Sequence, residues 1–212
     1  MITDRLLAGP RPLLRVALHA LEAGAPSLQL RNKGESAREL LALGRDLRAL
    51  TREAGALLFV NDRLDVALAL EADGVHLGPD DMPIAAARRA VGDGLVIGHS
   101  CDDPERAVRA VSEGADYIGC GTLYATTTKV DAGRVIGLEG LARVVRAVDV
   151  PVVGIGGIHA GVASAVAGTG AAGIAVVGAV MAAEDPAAAT RELLDAFASG
   201  AGGGDTTRPP RS

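Results

Sequence analysis

Short runs of β-branched and aliphatic residues alternate with longer Ala-, Leu- and Arg-rich stretches along almost the whole chain. The short runs predict strands over Met1–Thr3, Ser27–Leu30, Ala56–Val60, Gly74–His76, Leu95–Gly98, Tyr117–Gly119, Val152–Ile155 and Gly173–Val177. Between them the pattern predicts helices over about 12–23, 36–54, 63–71, 83–91, 104–113, 138–148, 159–168 and 186–198. Leu40, Leu41, Gly44, Leu47 and Leu50 show the i, i+3, i+4 spacing of one buried helix face. Pro83, Pro104 and Pro186 stand at helix starts, where a missing N–H costs little. The turns Gly24-Ala25-Pro26 and Gly114-Ala115-Asp116 end helices and lead into strands. Eight β-α units predict a single (β/α)8 TIM barrel of minimal size over residues 1–198. A doubly wound open sheet is the alternative. Polar residues at nearly every strand's C-terminal end favour the barrel, whose active sites lie on that face. From Ser199 the Gly-rich sequence predicts a disordered tail over 199–212.

Composition narrows the picture. The chain has 212 residues, 49% of them hydrophobic, which suffices for one large core. A formal net charge of −5 argues against a general nucleic-acid binder. Cys101 and Cys120 have no metal-ligand spacing and read as free thiols. The N-terminus shows no signal-peptide pattern. Val162 to Ala183 comes closest to a membrane span, but it holds four glycines. A soluble, cytoplasmic protein is expected, with no membrane partner. Aromatic residues make up only 2%, which argues against stacking platforms for bases.

The candidate chemistry lies at the strand ends. Asp62 follows Phe59-Val60-Asn61 and Asp81 follows Val75-His76-Leu77-Gly78-Pro79-Asp80. On neighbouring parallel strands these carboxylates could share one hard cation, and Mg²⁺ favours one or two carboxylates plus phosphate oxygens. The bland alternative is that each caps a helix, and Asp80 competes with Asp81 as the ligand. In Gln29-Leu30-Arg31-Asn32-Lys33, alternation points Gln29, Arg31 and Lys33 one way, a set of donors suited to a diphosphate. His76 reads as a hydrogen-bonded rim residue more readily than as a catalyst, and Ser100 as a donor to a phosphate oxygen. Thr126-Thr127-Thr128-Lys129 gathers hydroxyls and an ammonium in an anion loop or a plain polar loop. Small residues in Gly154-Ile155-Gly156-Gly157-Ile158 and Val176-Val177-Gly178-Ala179 let backbone N–H groups reach a second phosphate. Two phosphate sites on one rim suggest two phosphorylated substrates being joined.

These segments, together with Ile2-Thr3-Asp4, Val60-Asn61-Asp62-Arg63, Asp73-Gly74-Val75-His76-Leu77-Gly78 and Gly114-Ala115-Asp116-Tyr117-Ile118-Gly119, resemble the thiamine-phosphate synthase family in content and order. The resemblance implies a transferase of thiamine biosynthesis. Such an enzyme joins 4-amino-2-methyl-5-pyrimidinylmethyl diphosphate to a thiazole phosphate, releasing diphosphate. It implies that Gln29, Arg31, Lys33, Asn61, Ser100 and Lys129 hold the pyrimidine diphosphate. Lys129, Arg31 and Ser100 are then the catalytic set, and Asp62 and Asp81 bind Mg²⁺, with family spacing selecting Asp81 over Asp80. Thr126, Thr128, Gly157, Val177 and Gly178 would hold the thiazole phosphate. The implied partners are these two small substrates, without nucleic acid, and a homo-oligomer is left open.

The chain departs from the family pattern in places. Pro79 replaces a common Gln; Thr122, Ala125 and Thr127 stand where prolines are frequent; Gly178 replaces a hydroxyl residue; and the first strand looks clipped. A related thiazole tautomerase is the nearest rival, but Asp102 stands where its characteristic His would be. A non-catalytic regulatory relative is the second rival, and intact metal and diphosphate motifs argue against it.

Overall fold

Seven strands form one parallel sheet in chain order: β1 (Ser27–Leu30), β2 (Leu57–Asn61), β3 (Gly74–Leu77), β4 (Val96–Ser100), β5 (Tyr117–Cys120), β6 (Val152–Ile155) and β7 (Gly173–Ala175). The computed structural model describes residues 1–32, 34–126 and 134–201. Helices α2 (Leu13–Glu22), α3 (Ala37–Ala54), α4 (Leu64–Ala69), α5 (Ile84–Val91), α6 (Pro104–Ser112), α7 (Gly137–Ala147), α8 (Ala160–Ala167) and α10 (Pro186–Ala201) follow the predicted segments closely. Two single-turn helices, α1 (Arg5–Ala8) and α9 (Gly178–Met181), are too short for periodicity to reveal. Helix α10 carries through Ser199, Gly200 and Ala201, where the composition predicted a tail to begin. Residues 202–212 lie outside the described residues.

The expected eight-stranded barrel needs correction. Residues 1–3 form no strand; Ile2 makes one isolated parallel bridge to Gln29. The Ile2 N–H donates to Val176 O at 2.9 Å, and the Thr3 N–H donates to Gln29 O at 2.9 Å. The sheet therefore curls until β1 and the chain just past β7 both reach this segment. Asp4 then accepts the Leu6 and Leu7 N–H groups and starts α1, so the extended stretch ends before a ladder can build. The architecture is a TIM-like curled sheet of seven strands.

Local chemistry explains the elements. In β1 the outward side chains Leu28 and Leu30 are fully buried under the helices, while Gln29 is only partly buried. Ser36 and Glu39 form a reciprocal capping box at the start of α3. Asp103 caps α6 with Pro104 at its first position. Gly24 and Gly114 end α2 and α6 at φ 97° and 108°, which glycine adopts without a Cβ penalty.

Two carboxylates lock the opposite, N-terminal end of the sheet. Asp73 accepts the Leu58 N–H at 2.7 Å and pairs with Arg48 at 2.6 Å. Asp116 repeats the device with the Ile97 N–H and Arg88. Burial pushes the Asp73 pKa up, but Arg48 and the Leu58 N–H outweigh it and hold the carboxyl below its ordinary 3.8. A depressed folded-state pKa stabilises the fold above the unfolded value, and that contribution is lost as pH falls through the folded value. Asp73→Asn should therefore cost about 1–2 kcal/mol at neutral pH. Chemical denaturation should show the gap between variant and wild type narrowing once pH drops below 3.8.

Candidate functional site

A continuous cavity of about 490 Å³ occupies the inside of the curled sheet. At the C-terminal ends of the strands it is lined by Gln29 and Arg31, Asn61, His76, Ser100, Gly121, Thr122 and Thr126, then Gly157, Val177 and Gly178. It continues down to Ser27, Leu57, Pro151 and Ala172 at the opposite ends. Eight of the residues expected from sequence thus meet in one space: Gln29, Arg31, Asn61, Ser100, Thr126, Gly157, Val177 and Gly178. Lys33, Thr128 and Lys129 lie outside the described residues.

Arg31 is held in place from behind. Its Nη1 lies 3.5 Å from Asp4 Oδ2, with the two side chains 13% and 17% exposed. Its backbone N–H donates to Thr3 Oγ1 at 2.9 Å. The short Thr3-Asp4 segment therefore sets one wall of the site.

The two aspartates stand beside the cavity and do not line it. Asp62 sits at φ 63°, a left-handed conformation uncommon for a residue with a side chain. Its N–H donates to His76 O at 2.8 Å, which continues the β2–β3 pairing by one step. The N-cap position of α4 is Arg63, with no side-chain cap bond, so helix capping does not account for Asp62. Pro83 likewise occupies the N-cap of α5 without a side-chain bond. Asp81 Oδ2 instead accepts the Gly78 N–H at 2.7 Å, folding back over the strand end. A Cβ at position 78 would stand 3.0 Å from that oxygen. Asp80 is exposed and Asp81 is half-buried. Two carboxylates beyond the ends of adjacent strands are the hard-oxygen donor type that would suit Mg²⁺. Among the described residues no group of three or more His, Cys, Asp and Glu side chains gathers around a metal-sized space.

Glycines in the loop after β6 allow close approach. Gly156 and Gly157 have φ 100° and 65°. A Cβ on Gly157 would press on Tyr124 O and Ala125 O at 2.8 Å. The Leu123 and Tyr124 N–H groups donate to Ile155 O and Gly156 O, both at 3.0 Å. The loops after β5 and β6 are thereby zipped together, which brings Thr126 and Gly157 to the same cavity. Helix α9 starts there too, and its first N–H groups, Gly178 and Ala179, precede any intrahelical acceptor.

Sequence reasoning missed the interior aromatics. Two of the chain's four Phe and Tyr residues, Phe59 and Tyr117, line the cavity. They meet edge to face with centroids 5.6 Å apart. The signal lay in the alternation: Phe59 shares the face of Asn61, and Tyr117 that of Gly119. His99, next to Ser100, does not line the cavity, and burial lowers its pKa. Cys101 and Cys120 are free thiols, and burial pushes them up to about 11 and about 12, out of nucleophilic range at neutral pH.

The chain and its fold have close counterparts among known proteins. The sequence profile of the thiamine monophosphate synthase family matches residues 1–180. A thiamine-phosphate synthase of Roseiflexus sp. (strain RS-1) is 50% identical over 199 residues, covering 94% of this chain and 84% of that protein. A solved thiamine phosphate pyrophosphorylase from Pyrococcus furiosus superposes with a TM-score of 0.86 at 49% identity, covering 93% of each chain. A 3-hexulose-6-phosphate synthase from Salmonella typhimurium, at 18% identity and a TM-score of 0.72, shares the fold alone.

Proposed function

Because this chain belongs to the thiamine monophosphate synthase family, we propose that it joins 4-amino-2-methyl-5-pyrimidinylmethyl diphosphate to a thiazole phosphate, giving thiamine phosphate and diphosphate. The observation that carries the reading is the convergence of Gln29, Arg31, Asn61, Ser100, Thr126, Gly157, Val177 and Gly178 on one cavity. Asp62 and Asp81 would hold Mg²⁺, which when bound neutralises charge on the diphosphate oxygens. As the carbon–oxygen bond breaks, its electron pair leaves on the diphosphate oxygen, and Arg31, with Lys33 and Lys129, stabilises the charge that grows there. Ser100 donates a hydrogen bond to the same group. Gln29 and Asn61 orient the aminopyrimidine, whose ring delocalises the methylene cation. The thiazole nitrogen lone pair then forms the new carbon–nitrogen bond, with its phosphate fixed by Thr126, Thr128, Gly157 and the Val177–Gly178 turn. No side-chain nucleophile takes part. The buried interior also limits attack on the cation by water.

The same reading takes residues 1–198 as one catalytic domain and residues 1–3 as a stand-in for the eighth barrel strand, on the strength of their hydrogen bonds to both sheet edges. It places the enzyme in the cytoplasm. No helix among the described residues is long and apolar enough to cross a membrane.

The test is direct. Purified protein, both substrates and Mg²⁺ should yield thiamine phosphate, detected as its fluorescent oxidation product. No product from verified substrates would sink the proposal. Gly178 offers a finer check. It begins α9 at the cavity and lacks the hydroxyl common at this position. Gly178→Ser should lower the Michaelis constant for the thiazole phosphate about three- to tenfold, the worth of one hydrogen bond. An unchanged or higher value would count against the missing donor.

A further inference from the structure

Inside the cavity a hydrogen-bonded chain ties Ser100 to two residues that have no part in the mechanism above. His76 on β3 uses both ring nitrogens: Nδ1 lies 2.9 Å from Tyr117 Oη, and Nε2 lies 2.9 Å from Ser100 Oγ. His76, Gly98 and Tyr117 stand level on three adjacent strands. The tyrosine ring crosses over Gly98 to reach the histidine, and a Cβ at position 98 would fall within that ring. At position 119 a Cβ would stand 2.8 Å from His76 Cε1. Phe59 braces the tyrosine edge-on. Both rings are therefore fixed in place by their neighbours.

Proton positions decide what Ser100 can offer. A neutral imidazole has one donor and one acceptor nitrogen. Burial raises the Tyr117 pKa, so its phenol stays protonated at neutral pH. Among the described residues, His76 is the only hydrogen-bond partner of Tyr117 Oη. The half-buried phenol has Nδ1 as its one acceptor within reach among the described residues, and it donates its hydrogen there. That leaves the imidazole proton on Nε2, where it donates to Ser100 Oγ. The Ser100 hydrogen is then turned away from the histidine, into the cavity that Ser100 lines. With the opposite tautomer, Ser100 would spend its hydrogen on Nε2 and face an anion with lone pairs only.

We propose that Tyr117 and His76 are positioning residues that lock the Ser100 hydroxyl as a donor to the departing diphosphate. The inference rests on the coupling reaction proposed above. Its first test does not. Long-range nitrogen-15 spectra of the resting protein, which has four histidines, with His76→Gln for assignment, should show the His76 proton on Nε2. The second test is a kinetic cycle. Tyr117→Phe keeps the ring and should lower kcat about five- to tenfold, with little change in KM for the pyrimidine diphosphate. Ser100→Ala should lower kcat about a hundredfold, and adding Tyr117→Phe to it should cost nothing more. A tyrosine that only packs would give multiplicative losses. Either multiplicative losses or a proton on Nδ1 would overturn the relay. A wild-type protein without coupling activity would overturn the functional reading alone, and the tautomer would still decide the relay.

Discussion

Asp62→Asn is expected to lower the coupling rate about a thousandfold or more while leaving the fold intact. The choice of Asn follows from the backbone. Asp62 sits at φ 63°, where asparagine is tolerated better than alanine. The N–H bond to His76 O involves only the main chain and survives the change. Helix α4 is capped at Arg63 without a side-chain bond, so no cap is lost. The change removes the negative charge of a carboxylate proposed to hold Mg²⁺. Thiamine phosphate formation should be measured across a range of Mg²⁺ concentrations, with thermal unfolding as the control. Turnover near wild type would refute the metal role of Asp62.

Arg31→Ala should cost about 10²–10³ in kcat/KM, the usual loss when one donor to developing transition-state charge is removed. Arg31 is prepositioned by Asp4 and by Thr3 Oγ1, so the wild-type enzyme need not order it during the reaction. Arg31→Lys should recover only part of the loss, because an ammonium lacks the planar fork that matches two phosphate oxygens. Asp4 keeps its role as cap of α1 in both variants, so the unfolding temperature should change little. Arg5→Ala supplies the control, since Arg5 pairs with Glu35 from an exposed position outside the cavity and should leave activity unchanged. Equal losses in the Arg5 and Arg31 variants would remove the special role of Arg31.

Much of the scaffold is legible from alternation. The period-2 pattern of Ser27–Leu30 separates Leu28 and Leu30, under the helices, from Gln29 in the cavity, and the structure keeps that division through Arg31. Helix caps such as Ser36–Glu39 depend on neighbours three residues apart and need no tertiary information. The eighth strand could not be settled that way. Ile2 has strand character, but its pairing depends on whether Gln29 and Val176 arrive on either side, and α1 ends the extended stretch after Thr3.

The site divides along the same line. Residue type and family pattern nominated the cavity residues and preferred Asp81 over Asp80. Capping remained open for Asp62 until its left-handed backbone and the cap at Arg63 removed that reading. Zipping of the Leu123–Tyr124 backbone against Ile155–Gly156 gave Gly157 a packing duty that composition does not announce.

By itself, then, the sequence determined which residues share a face and where the longer helices begin, and it nominated donors for a diphosphate, because these readings depend on spacings of two to four residues. Only the tertiary structure decided that His76 meets Tyr117 and Ser100, forty-one and twenty-four residues away in the chain. Such meetings depend on strand register, with His76 opposite Gly98 and Gly98 opposite Tyr117. Register is fixed by packing the whole curled sheet against its helices, and no local pattern encodes it.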